Sequence, residues 1–259
     1  MSKNSFKQFV CLSGLPRSGS TLLSAILSQN PKIHAEGNSA VCQLMWDMNV
    51  SCFNSSNEQL IANNRINTID NLISSIPHIY YDNISEEIVV DKCRSWTLEP
   101  NIELLKKYVD KNIKIIVLIR SVLDIVKSFM NLYEKNNIYN VNVEDKLLKP
   151  NSEPIMRSLN GIFYAKNNNK NNNFLFIHYN DLTTNTKETI KKIYDFCSWE
   201  YFEHDFQNIV TKYPENDQIY GLKEMHAVYP TIKLEQKNIK LSKKIINKCK
   251  DLDNKYIFN

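Results

Sequence analysis

One stretch near the start of the chain limits what it can fold into: Phe9-Val10-Cys11-Leu12-Ser13-Gly14-Leu15-Pro16-Arg17-Ser18-Gly19-Ser20-Thr21-Leu22-Leu23. An apolar run enters a turn of Gly, Pro and Ser, and Leu22, Leu23, Ile26 and Leu27 then recur at helical spacing. A buried strand, a tight loop and a helix start, in that order, make an anion site. The free backbone N–H groups of Gly19, Ser20 and Thr21 point into the turn, and the helix dipole adds positive potential there. Gly14 and Gly19 let the backbone come close to the bound anion.

The rest of the chain repeats the same alternation. Glu87-Ile88-Val89-Val90-Asp91 and Phe174-Leu175-Phe176-Ile177-His178-Tyr179 read as strands, and Ile33 to Gly37 as a short turn or strand. Lys114-Ile115-Ile116-Val117-Leu118-Ile119 is β-branched without alternation, which implies a sheet covered on both faces. Helical periodicity is expected over 39–50, 57–76 (stopped by Pro77), 99–110, 122–133, 153–167, the stretch through Ile190 and Cys197, and 241–256. Residues 134–152 read as polar and irregular, and 203–238 as a long, aromatic, poorly periodic stretch. The expectation is one α/β domain over 1–259, a three-layer P-loop fold with a central, mostly parallel sheet flanked by helices. Ligands of such a sheet bind at the carboxyl ends of its strands.

Composition narrows the classes of function. The net charge of +4 is too mild for a nucleic-acid binder, though it suits an anionic nucleotide. No stretch reaches about 18 apolar residues, so no membrane span is expected. The six cysteines at 11, 42, 52, 93, 197 and 249 form no C-x-x-C pair. They read as reduced thiols of a cytoplasmic protein, and no His/Cys metal spacing accompanies them.

The first loop admits more than one chemistry. Gly14 to Thr21 fits G-x-x-x-x-G-K-[ST] except that Ser20 stands in the Lys position, which argues against a nucleoside triphosphate. The same substitution undermines Asp91 as a Mg²⁺ carboxylate. Cys11, Arg17 and Ser18 have the C-x5-R-[ST] spacing of a phosphatase loop, in which Cys11 would be a thiolate nucleophile. Set against that, Phe9, Val10 and Leu12 carry a buried strand straight through Cys11.

The segment L-P-R-S-G-S-T-L-L resembles the 5′-phosphosulfate loop of sulfotransferases that use 3′-phosphoadenosine 5′-phosphosulfate. Its P-R-S-G-[ST]-T form is similar to that of tyrosylprotein sulfotransferases and their bacterial relatives. Ile116 to Phe129 resembles the 3′-phosphate segment of the same family, with Arg120 leaving a strand and Ser128 eight residues on. A guanidinium and a hydroxyl suit a phosphate: the first bonds it bidentately and the second adds one more hydrogen bond. Tyr179-Asn180-Asp181-Leu182 is similar to the family's Y-E-D-L, whose Tyr touches the nucleotide.

The resemblance implies a donor site of Arg17, Ser18, Gly19, Ser20, Thr21, Arg120, Ser128 and Tyr179, with no metal. It implies sulfuryl transfer to a small-molecule or carbohydrate acceptor, at a hydroxyl or an amine. Lys92 stands at the strand exit where tyrosylprotein sulfotransferases carry a Lys on the sulfuryl group, and Arg17 adds positive charge beside it. Arg94 and Trp96 are candidates for the acceptor side. Where that family places a catalytic Glu, this chain has Asn38, so Glu36 and His34 are the candidate bases. A flap from the C-terminal stretch would offer Lys223, His226 and Lys233. A Cys11/Arg17 phosphatase and a nucleotide-binding protein without catalysis are the alternatives.

Overall fold

The computed structural model describes residues 6–139, 142–150, 153–169, 171–232 and 239–258. Five strands, β1 (Gln8–Gly14), β2 (Ile33–Asn38), β3 (Ile88–Lys92), β4 (Lys114–Ile119) and β5 (Phe174–His178), form one sheet in the order β2-β3-β1-β4-β5. Every pairing is parallel, as the unalternating apolar runs imply. Central β1 sets Leu12 against Lys92 of β3 on one side and Gly14 against Leu118 of β4 on the other. The chain crosses β1 between β3 and β4, so the crevice above the end of β1 is the place for a ligand.

Eleven helices follow in chain order among the described residues. They are α1 (Ser20–Leu27), α2 (Val41–Phe53), α3 (Asn57–Ala62), α4 (Ile69–Tyr80), α5 (Glu99–Tyr108), α6 (Val122–Lys135), α7 (Val143–Lys146), α8 (Met156–Asn167), α9 (Tyr179–Thr184), α10 (Thr186–Cys197) and α11 (Lys243–Asp253). One sheet face sends Val10, Leu12, Ile116 and Leu118 into Leu23 and Ile26 of α1 and Ile190 and Ile193 of α10. The other sends Cys11, Ile115, Val117 and Ile119 into α2, α5, α6 and α8. Alternate residues of β4 thus serve two apolar layers, and both faces of the sheet are dry.

Two helix expectations need correction. The single helix over 57–76 is two: Asn64 takes a left-handed conformation (φ 54°), which ends α3 and starts a new entry angle for α4. Pro77 does not stop α4. Its ring lies on the buried stripe of Ile69 and Ile73, and that packing carries the helix on to Tyr80 despite the missing N–H.

The C-terminal helix has a task at the sheet. Asp253 accepts hydrogen bonds from the Val122 N–H (2.7 Å) and the Ser121 hydroxyl (2.9 Å). The Val122 N–H is an orphan donor at the start of α6, so a carboxylate from α11 fixes the helix that follows Arg120.

Candidate functional site

The loop after β1 is shaped by its backbone. Gly14 has φ 133°, and a Cβ there would run into the backbone of Leu118, so β1 and β4 could not pair at this register with any other residue. Gly19 has φ 92° at the start of α1, and a Cβ would crowd the Tyr179 ring at 3.0 Å. The Ser18 hydroxyl donates back to the Leu15 carbonyl at 2.5 Å and closes the turn from inside. Arg17 is held in the left-handed region at φ 59°, an uncommon conformation for a non-glycine residue.

The distant segments meet at that loop. The Arg17 Nε donates to the Ser128 Oγ at 3.1 Å, and an Arg17 guanidinium nitrogen also donates to the Met225 carbonyl. Arg120 donates to the Arg17 carbonyl at 2.6 Å and stacks over the Tyr179 ring, 4.0 Å from its centroid. Ser128 is buried on α6 and directed at Arg17, so its hydroxyl already serves the arginine in this state. Arg17, Gly19, Ser20, Thr21, Arg120 and Ser128 line one cleft, with Tyr179 beside them. Ser18 is buried beneath it, as a brace for the loop.

Lys92 reaches the same cleft from β3. Only 5 % of the residue is exposed, and its Nζ pairs with Glu215 Oε1 at 3.0 Å. Burial pushes the Lys92 pKa below the ordinary lysine value; Glu215 opposes that, and Arg94 and Arg17 add to it. Asn38, at the end of β2, donates to the other Glu215 oxygen at 3.3 Å. Gly37 makes room, since a Cβ on it would collide with the Glu215 side chain. Glu215 went unnoticed in the sequence. It lies in the aperiodic stretch, 177 residues from Asn38, with no motif around it.

The structure does not bring His34 or Glu36 to this cleft. They precede Asn38 by four and two residues on β2, which is about 13 and 7 Å along a strand. His34 is buried against the rings of Tyr81 and Tyr213, and its Nε2 lies 3.3 Å from Glu36. Glu36 faces a separate hollow beside Thr211 and Tyr213. Arg94 lines the main cleft, whereas Trp96 is core and donates to Asp91 at 2.6 Å. Asp91 is fully buried, and its second oxygen accepts from the Tyr81 hydroxyl at 2.8 Å. Both its oxygens are therefore committed to the core. Among the flap candidates, His226 lines the cleft, Lys223 is exposed with its backbone tied to Asn136, and Lys233 lies outside the described residues.

Residues 10–203 match the model of the sulfotransferase family. The chain belongs to that family. Among solved structures, this sulfotransferase is similar to the sulfotransferase domain from the Synechococcus PCC 7002 olefin synthase. The two share 15% identity and a TM-score of 0.60 over 100% of this chain and 98% of that one. It is also similar to the sulfotransferase domain from the curacin biosynthetic pathway (16%, TM-score 0.54, 98% of each chain). The sulfotransferase from Alicyclobacillus acidocaldarius is a third (13%, TM-score 0.53, 85% of this chain and 90% of that one). No curated protein matches it in sequence.

The phosphatase alternative fails at its nucleophile. Cys11 of this sulfotransferase sits inside β1 with no exposure, and burial pushes its thiol well above the ordinary value, with Asp91 and Cys93 adding to the push. A neutral, enclosed thiol attacks nothing. No helix among the described residues is long and apolar enough to cross a membrane.

Proposed function

We propose that this sulfotransferase is a single domain that takes 3′-phosphoadenosine 5′-phosphosulfate as donor. It passes the sulfuryl group to a hydroxyl or amine of a small-molecule or carbohydrate acceptor by in-line displacement. The observation that carries the reading is the junction of loop and far end: Arg120 holds the Arg17 carbonyl while Arg17 holds Ser128. Two phosphate-binding segments about a hundred residues apart thereby become one cleft, suited to a nucleotide with anionic groups at both its 5′ and 3′ ends.

The N–H groups of Gly19, Ser20 and Thr21 would hold the 5′-phosphosulfate at the start of α1. Arg120 and Ser128 would hold the 3′-phosphate, and Tyr179 would flank the nucleotide. Arg17 and Lys92 supply positive charge where the leaving phosphate gains negative charge, which is the electrostatic work this reaction asks of a protein. The six free thiols, five of them buried, favour a reducing compartment such as the cytoplasm.

Calorimetric titration of adenosine 3′,5′-bisphosphate against ATP tests the reading. The bisphosphate should bind the more tightly, and ATP binding equally well or better would overturn it.

A further inference from the structure

The position expected to carry a base holds Asn38, and the two neighbouring candidates on β2 point elsewhere. The segment following α10 fills the gap. It is tied down at both ends. Lys212 and the Tyr213 hydroxyl each donate to Glu86 at 2.8 Å, and Lys223 exchanges hydrogen bonds with Asn136, just past the end of α6 (2.7 and 3.1 Å). Between these anchors it carries Asp217 and sets Glu215 against Lys92, and just past the second anchor it brings His226 to the lining of the cleft.

The three side chains form a unit. Asp217 Oδ1 lies 2.6 Å from His226 Nδ1, and its Oδ2 accepts from the His226 backbone N–H at 3.0 Å. One carboxylate therefore fixes both the ring and the backbone of His226. Such a bond puts the proton of a neutral imidazole on Nδ1 and leaves Nε2 as an acceptor. Nε2 stands 3.6 Å from Glu215 Oε1, beyond hydrogen-bond length, and His226 lines the cleft. Glu215 is held by Lys92 and Asn38.

We propose that His226 is the general base of this sulfotransferase, with Asp217 and Glu215 as its positioning carboxylates; the assignment rests on the donor reading above. The proton of the acceptor O–H or N–H passes to His226 Nε2, and the freed electron pair bonds to sulfur. The bond from sulfur to the bridging oxygen breaks, and its electron pair leaves on the 5′-phosphate of adenosine 3′,5′-bisphosphate, beside Lys92. The imidazolium so formed lies between two carboxylates, which stabilise it. Glu215 links the two halves of the reaction. As the Lys92 ammonium turns to the leaving phosphate, Glu215 is released to the cation forming on His226.

The test uses the intact protein as wild type, His226→Gln and Asp217→Asn. Three quantities are measured: calorimetric affinity for adenosine 3′,5′-bisphosphate, release of that bisphosphate from the donor with water as acceptor, and the tautomer of the neutral His226 ring by ¹⁵N NMR. His226→Gln should bind the bisphosphate and lose turnover by about 10²–10⁴-fold, the usual share of a general base. Asp217→Asn should lower kcat with KM little changed and shift the ring away from its Nδ1–H form. Undiminished turnover in His226→Gln, or a wild-type neutral ring protonated at Nε2, overturns the assignment. Failure of the wild type to bind the bisphosphate is a different result: it removes the donor reading, and this assignment with it.

Discussion

Replacing Arg120 by Ala separates recognition of the 3′-phosphate from upkeep of the loop. The guanidinium donates to the Arg17 carbonyl at 2.6 Å and lies over the Tyr179 ring at 4.0 Å. Losing these contacts loosens the loop for any nucleotide. Because water can reach the half-buried side chain, this share is about 1 kcal/mol, or roughly five-fold in affinity. The second share belongs to the phosphate alone. Removing one partner of a desolvated charge pair costs about 2–4 kcal/mol, or about 30- to 700-fold. Adenosine 3′,5′-bisphosphate should feel both shares, and adenosine 5′-monophosphate only the first. Calorimetry of the two nucleotides against wild type and Arg120→Ala reads the difference directly. Arg120→Lys, which keeps the charge and loses the fork, should fall between. Equal weakening of both nucleotides would show that Arg120 shapes the loop and does not read the 3′-phosphate.

Lys92→Met should leave bisphosphate affinity near normal and lower turnover by about 10²–10³-fold, because its contribution grows with the leaving charge. It should also lower the thermal midpoint by stranding Glu215, and Lys92→Met with Glu215→Gln should recover it; an unchanged midpoint in the single variant would contradict the pairing. Glu36→Gln should retain full turnover, and a large loss would return the base to β2. Cys11→Ser should cost about 1–3 kcal/mol of stability, from a hydroxyl buried in the core, while turnover persists in the folded fraction; activity lost with folding and bisphosphate binding intact would revive a thiol mechanism. Burial works to raise the Glu86 pKa, but the hydrogen bonds from Lys212 and Tyr213 outweigh it and bring the carboxyl to about 2, against 4.5 ordinarily. The resulting stability is fully present above 4.5 and is lost as pH falls toward 2, so Glu86→Gln should flatten the stability curve across that window. Acid titration of unfolding that is identical in both proteins would refute it.

The sheet was readable because its signals are local. The run from Lys114 to Ile119 matches β4 residue for residue, and the Gly-rich turn lies where a strand meets a helix. Arg120 and Ser128 could be nominated from spacing along one junction. What brings them to Arg17 is the pairing of β1 with β4, which spacing does not encode. The break at Asn64 was hidden because a left-handed residue interrupts a pattern that stays apolar on either side. Pro77 misled because its penalty is visible in sequence and the burial that offsets it is not. Glu215 and Asp217 were the hardest to see. They sit in a segment with no periodicity, held by Glu86 and Asn136 from distant elements, and a lone carboxylate in such a stretch reads as solvated. The missing side chain at Gly37 is the mark Glu215 leaves, and it has meaning only once Glu215 is in view.

The pairing of Lys92 with Glu215 also bears on what the resting cleft will accept. A buried ammonium with no counter-charge would collect whatever small anion the surroundings offer, and inorganic phosphate or sulfate would then compete with every nucleotide. Here the counter-ion is built in: Glu215 neutralises Lys92 at 3.0 Å and is itself braced by Asn38. A simple anion gains little at such a neutralised point, since it must displace a carboxylate already in place and already desolvated. A ligand anchored elsewhere, by the loop at one end and Arg120 at the other, can bring its own charge to the same spot at high effective concentration and make the exchange. On the proposed donor reading, the ion pair would act as a filter, favouring a tethered anion over a free one without any contact that distinguishes their chemistry.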